Sequence, residues 1–209
     1  MRTIAMLGAA ALAAMSVAAD AAPTISFAGG TGTAAPGTTV FQDFEGYASG
    51  SWADTNTQFV NPTGTNNARP AFGSTGNFAA IRANGSYTVN FGPTNLFSFV
   101  LGSLDSYNSL NLLLADGSSV SYAGGEIIGG LSYASGNRTS ATSNGVVTYN
   151  ANGGPQIVGA TFMSGKSSFE IDNLAAAVPE PSTWAMMIFG FGAIAGAMRH
   201  RRRAARAWA

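Results

Sequence analysis

Short apolar runs alternating with polar residues fill the middle of the chain: Tyr87, Val89 and Phe91; Phe97, Phe99 and Leu101; Val120 and Tyr122; Val146, Val147 and Tyr149; Ile157, Val158, Ala160 and Phe162; Phe169, Ile171 and Leu174. A strand points successive side chains to opposite faces, so each run predicts a strand with one buried face. Asp116-Gly117, between Leu112-Leu113-Leu114 and Val120, predicts a tight hairpin, and Asn144-Gly145 predicts a second. No helix-length amphipathic pattern and no internal repeat interrupts this order, which predicts an all-β, antiparallel sandwich of jelly-roll type. Residues 29–37, made of Gly, Thr, Ala and Pro, read as an irregular lead-in, and 61–76 as a long surface loop.

The two ends break the alternation. Arg2 precedes an uncharged, largely apolar stretch over 4–17, and small residues follow at Ala18, Ala19, Ala21 and Ala22. That order predicts a secretory signal peptide over 1–19. Cleavage after Ala19 places Val17 and Ala19 at the recognised positions, and cleavage after Ala21 places Ala19 and Ala21 there. Cleavage after Ala22 would put Pro23 beside the scissile bond. At the other end, 184–198 is an apolar run of 15 residues, about 22 Å as a helix against a hydrocarbon core of roughly 30 Å. Trp184 at one end and arginines at the other extend its reach into the two interfaces, so the run predicts a short transmembrane helix. Gly190, Gly192 and Gly196 leave one side smooth enough for close approach by another helix. Arg199, Arg201, Arg202, Arg203 and Arg206 all follow the run. They act as a stop-transfer cluster that keeps the tail cytoplasmic and puts the preceding domain outside the inner membrane.

Between the sandwich and that run stands Val178-Pro179-Glu180-Pro181-Ser182-Thr183-Trp184-Ala185-Met186, with Gly190-Phe191-Gly192 and the arginine cluster beyond. This string resembles the PEP-CTERM sorting signal in its Pro-Glu-Pro-x-x-Trp-Ala form, over about 178–203. The resemblance implies that an exosortase, a membrane-embedded protease of cysteine-transpeptidase type, recognises Pro179, Glu180 and Pro181 and removes the tail, with Trp184 completing the motif. It also implies an association with exopolysaccharide and biofilm, and makes those three residues the recognition residues of a substrate without supplying this chain a catalytic residue. The residue types fit the place. Two prolines forbid helix continuation and hold the peptide extended, as protease subsites require, and Glu180 cannot enter the bilayer cheaply.

The chain thus divides into a signal peptide (1–19), one sandwich domain (20–178) and a sorting segment (179–209). Within 20–178, nine acids (Asp20, Asp43, Glu45, Asp54, Asp105, Asp116, Glu126, Glu170, Asp172) face four bases (Arg69, Arg82, Arg138, Lys166), a net charge of −5. The formal neutrality of the whole chain comes from the terminal arginines. So acidic a surface excludes nucleic acid as a direct partner. The sequence has no cysteine, so stability comes from the core without disulfides. The one histidine, His200, lies in the tail, which removes Ser-His-Asp catalysis, Cys-His catalysis and the usual zinc ligands from the exported domain. Gly165-Lys166-Ser167 has the end of a phosphate loop but not its first glycine, and reads as a turn, like Gly124-Gly125 and Gly153-Gly154.

Two carboxylate pairs remain, Asp43 with Glu45 around Phe44, and Glu170 with Asp172 around Ile171. On strands, each pair shares one face while Phe44 and Ile171 point to the core. Three readings stay open: hydrogen-bonded strand ends, a structural cation site, and the two carboxyl groups of a glycosidase. In many jelly-roll carbohydrate-binding modules, terminal segments similar to Phe44-Glu45-Gly46 and Ile171-Asp172-Asn173 lie side by side and hold a calcium ion. That resemblance covers about a dozen residues and implies Glu45 and Asp172 as calcium ligands. Tyr47, Trp52, Tyr107, Tyr122 and Tyr133 are candidates for stacking on sugar rings, with Asn108 and Asn111 beside them, although most aromatics in a sandwich belong to its core. The sequence as a whole predicts a non-catalytic protein, anchored in the inner membrane as a precursor and acting at the cell surface or in the extracellular matrix. A carbohydrate-binding module for the cell's own exopolysaccharide is the alternative, and a glycan hydrolase or lyase the third.

Overall fold

A computed structural model describes residues 23–53, 55–61, 63–177 and 190–191. Twelve strands follow in order: β1 Thr24–Gly29, β2 Thr39–Gln42, β3 Trp52–Ala53, β4 Thr57–Val60, β5 Phe78–Ile81, β6 Gly85–Thr94, β7 Leu96–Gly102, β8 Asn108–Leu114, β9 Ser119–Ala123, β10 Gly145–Asn150, β11 Ile157–Ser164 and β12 Phe169–Ala176. One 3-10 helix, Gly124–Ile128, separates β9 from β10. The strands form two antiparallel sheets, one in the order β1-β10-β7-β12-β5-β4-β3 with β2 also paired to β12, the other in the order β6-β11-β8-β9.

The predicted runs supply the two inner faces. Phe97, Phe99 and Leu101 of β7, Val147 and Tyr149 of β10, and Phe169, Ile171 and Leu174 of β12 meet Tyr87, Leu110, Leu112, Ile157, Ala160 and Phe162 from the smaller sheet. Phe99 and Phe162 touch edge to face across the core at 4.9 Å between ring centroids. Both breaks in the alternation have a physical cause. Ile171 and Leu174 are three apart yet both buried because the register shifts between Asp172 and Ala175, where Asn173 takes φ +46°. A bulge inserts one residue and returns the next side chain to the same face. A second shift, between Ile157 and Gly159, does the same in β11.

The outer face of the larger sheet is also covered. Within the segment predicted as a surface loop, 61–76, Asn67, Ala68 and Ser74 are instead buried against the sheet. Val60, Phe78 and Ala80 make a small second core, with the Arg69 guanidinium 5.1 Å from the Phe78 ring centre. The outer face of the smaller sheet carries Ser, Thr and Asn; Thr88 and Thr161, for example, share a hydrogen bond of 3.0 Å.

Two expectations are corrected. Asp43 and Glu45 are not on a strand, since β2 ends at Gln42 and Phe44 has φ +61°. The chain turns there because the Glu45 N–H donates to Asp43 Oδ1 at 3.1 Å, while Phe44 still reaches the core. Asn144-Gly145 is not a hairpin: β10 begins at Gly145 and pairs with β1 and β7. Asn144 is fully buried and its Oδ1 accepts the Ser103 N–H at 2.8 Å. A side chain at position 145 would meet the Ala28 carbonyl oxygen at 2.3 Å, so close strand approach demands this glycine. The Asp116-Gly117 hairpin forms as predicted between β8 and β9, with the Ser118 N–H on Asp116 Oδ1 and Gly117 at φ +85°.

Candidate functional site

Three places carry chemistry: the exit of the chain, a cluster of buried carboxylates, and a groove along one edge of the sandwich. At the exit, β12 lies inside the larger sheet, between β7 on one side and β5 and β2 on the other. Its end is tied down at Ala177, whose N–H donates to the Leu96 carbonyl at 2.9 Å. The buried Thr94 hydroxyl stands within 3.1 Å of the Ala177 carbonyl and 2.9 Å of the Leu96 carbonyl. Val178 alone therefore separates the hydrogen-bonded sheet from Pro179. Pro179, Glu180, Pro181 and Trp184 lie outside the described residues, as do Arg199, Arg201, Arg202, Arg203 and the signal peptide. Of the predicted transmembrane run only Gly190 and Phe191 are described, helical and exposed. Among the described residues no helix is long and apolar enough to cross a membrane.

The second place is the covered face of β12. Glu170 and Asp172 share that face, as alternation requires, and are 2 % and 1 % exposed. Glu170 Oε1 accepts the Ala68 N–H at 3.0 Å and the Ser168 hydroxyl, and Oε2 accepts the Ser103 hydroxyl at 3.0 Å. Asp172 Oδ2 accepts the Ser74 hydroxyl at 2.6 Å and Oδ1 the Asn173 N–H at 2.8 Å. Burial pushes the Glu170 carboxyl up to about 7 against these bonds and against the Arg138 charge. It pushes Asp172 up to about 6, with the Glu45 charge adding to the rise. A small polar pocket of about 170 Å³ opens onto Glu170, lined also by Asp105, Tyr107 and Arg138. Asp105 is occupied as well, by the Tyr107 hydroxyl at 2.7 Å and the Ser135 hydroxyl at 3.1 Å.

The structure brings Glu45 towards Asp172, close enough for its charge to act on that carboxyl. Pairing of Leu174 with Gln42 sets the two segments side by side. Glu45 Oε1 accepts the Asn77 N–H at 3.1 Å, and Asn77 Oδ1 is buried with no hydrogen-bond partner. Glu45 and Asp172 thus repel one another, and Asn77, whose N–H Glu45 holds, keeps an unsatisfied side-chain oxygen among the described residues; all three are oxygen donors of the type a hard cation takes. Among the described residues no group of three acidic, histidine or cysteine side chains converges on one point.

The third place lies where β1 and β9, edge strands of the two sheets, are bridged by the 3-10 helix. Adjoining hollows of about 680 Å³ and about 460 Å³ share Glu126 and Gly130. Tyr133 and Leu131 wall the first, and Tyr122 and Ile25 the second. Of the predicted stacking residues, Tyr133 thus lines the first hollow and Tyr122 the one adjoining it. Tyr107 belongs to the polar pocket. Tyr47 stacks on Phe59 at 3.8 Å, and Trp52 stands 60 % exposed on an edge strand. Asn108 is buried and holds the Asp105 N–H at 2.7 Å, and Asn111 accepts the Ser121 hydroxyl at 3.1 Å. Sequence reasoning missed Glu126 and Leu131. The Gly124-Gly125 pair just before Glu126 was the available signal, because paired glycines mark a close approach to backbone.

The family model of the PEP-CTERM protein-sorting motif matches residues 177–203. The chain therefore carries a PEP-CTERM sorting signal, which implies an exported protein processed at the membrane by an exosortase. No curated protein matches the chain.

Proposed function

We propose that this protein is a non-catalytic β-sandwich, anchored in the inner membrane as a precursor and released by an exosortase to the cell surface or extracellular matrix, where it associates with exopolysaccharide. The observation that carries the reading is the junction. The family match begins at Ala177, which among the described residues is the last one hydrogen-bonded to the sheet, so the sorting motif follows the sandwich directly in sequence. The non-catalytic part is supported by the buried Glu170 and Asp172 and the half-buried Asp105: both oxygens of each already accept protein donors, so none of the three presents a free base to a substrate. Replacing Pro179, Glu180 and Pro181 with alanine tests the sorting step. The precursor is expected to accumulate in the inner membrane fraction, and unchanged release of the domain would refute the reading. Glu45 and Asp172 would hold a structural calcium ion, as the orphaned Asn77 oxygen favours. The melting temperature is then higher in calcium than in chelator, and Asp172→Asn abolishes the difference; equal values in both buffers would remove the ion.

A further inference from the structure

We infer that the groove between β1, β9 and the 3-10 helix is a binding site for an internal stretch of a neutral polysaccharide. The aromatic wall is fixed in place. A side chain at Gly125 would meet the Tyr133 ring at 3.0 Å and one at Gly124 would meet its hydroxyl at 3.3 Å. The two glycines let the ring lie against the backbone, and Tyr133, half-buried, turns its remaining surface to the groove. A ring held in this way offers an apolar face at little entropic cost, which is what the CH face of a pyranose needs. Leu131, 53 % exposed, extends that apolar wall.

Glu126 supplies the polar side. Its Oε2 accepts the Ala123 N–H at 3.0 Å, which fixes the side chain, while no bond within the described residues takes Oε1. A fixed carboxylate oxygen accepts sugar hydroxyls in charge-assisted hydrogen bonds. Among the described residues Glu126 is the only charged one lining either hollow. With no cation on the walls and a domain of net charge −5, an anionic polymer finds no partner and is repelled. The two hollows share Glu126 and Gly130 and are both shallow and wide open to solvent, so nothing among the described residues closes the site at either end and a polysaccharide chain can lie across it.

The inference rests on the matrix reading only for where the ligand is met, and its test does not depend on sorting. Full-length protein in detergent is run through native gels cast with a β-1,4-glucan, a galactomannan, the producing cell's own exopolysaccharide, or an acidic polysaccharide. Retardation is expected in at least one of the first three. Tyr133→Ala should weaken it about tenfold, Leu131→Ser and Glu126→Gln should weaken it less, and Trp52→Ala should leave it unchanged. Glutamine at 126 can keep the bond to the Ala123 N–H. Leu131 is exposed, so its variant reads the groove even if Tyr133→Ala destabilises the fold. No retardation in any of those three gels, retardation in the acidic gel alone, or retardation indifferent to both Leu131→Ser and Glu126→Gln would overturn the proposal. A failure of sorting would show in the cellular location of the protein and leave these gels unaffected.

Discussion

Single side chains set how this protein responds to pH. Glu170 and Asp172 are acids whose folded pKa values, about 7 and about 6, lie above the ordinary 4.5 and 3.8. A raised acid pKa means that folding favours the protonated form. The stability this confers is full at low pH and is lost as pH rises through 3.8 to 6 for Asp172 and 4.5 to 7 for Glu170. At about 1.4 kcal/mol per pKa unit the loss through Glu170 is on the order of 3 kcal/mol. In chelator, where no ion holds Asp172, urea melts should show greater stability at pH 4.5 than at pH 7.5, and Glu170→Gln should narrow the gap. A flat or rising profile would show that Arg138, facing Glu170, and Arg69, acting on Asp172, already neutralise the pair. Tyr122 makes a second case: its buried hydroxyl has no partner among the described residues. Removing an unsatisfied buried hydroxyl relieves its desolvation, so Tyr122→Phe should stabilise the fold by about 1 kcal/mol. A fall in melting temperature would show that the hydroxyl has a partner in solution.

At the scale of elements, how well a strand could be read depended on what covers it. Strands with one polar face, such as β6, β8 and β11, announce themselves through alternation. β5 did not, because Phe78, Ala79, Ala80 and Ile81 are all buried, between the core on one side and the 61–77 loop on the other. The same covering explains why Glu170 and Asp172 could be read as a pair on one face but not as buried, since the loop that hides them is distant in sequence. β1 carries too weak a pattern to stand out in the sequence, because Thr24–Gly29 holds only two large apolar residues, Ile25 and Phe27, at the edge of the sheet. The Asn144-Gly145 signal was real in composition, but buried hydrogen bonding and close strand packing, rather than a turn, account for it. The exit strand gives the test at this scale. Valine at Thr94 keeps the shape and removes the hydroxyl shared by Leu96 and Ala177, which should cost about 1–3 kcal/mol and speed amide exchange at Ala177. Unchanged exchange there would mean that the end of β12 is held by its sheet neighbours alone.

For the molecule as a whole, the described part of an acidic sandwich runs to Ala177, two residues before the Pro-Glu-Pro of the sorting segment in sequence. The address was legible because its parts are local: a proline pair, an apolar run and a cationic stop occupy consecutive positions. The candidate ligand groove was not, because Ile25, Tyr122, Glu126 and Tyr133 meet only once two sheet edges and a single 3-10 turn have been placed. The central claim is that this domain is exported and then cut free of its tail. The most direct test is the intact mass of the native protein recovered from fractionated host cells. A product lacking both 1 to about 19 and the segment beyond the Pro179 region, found outside the inner membrane, is the predicted result. A mass that retains the arginine tail, with the protein still in the inner membrane, would contradict the account.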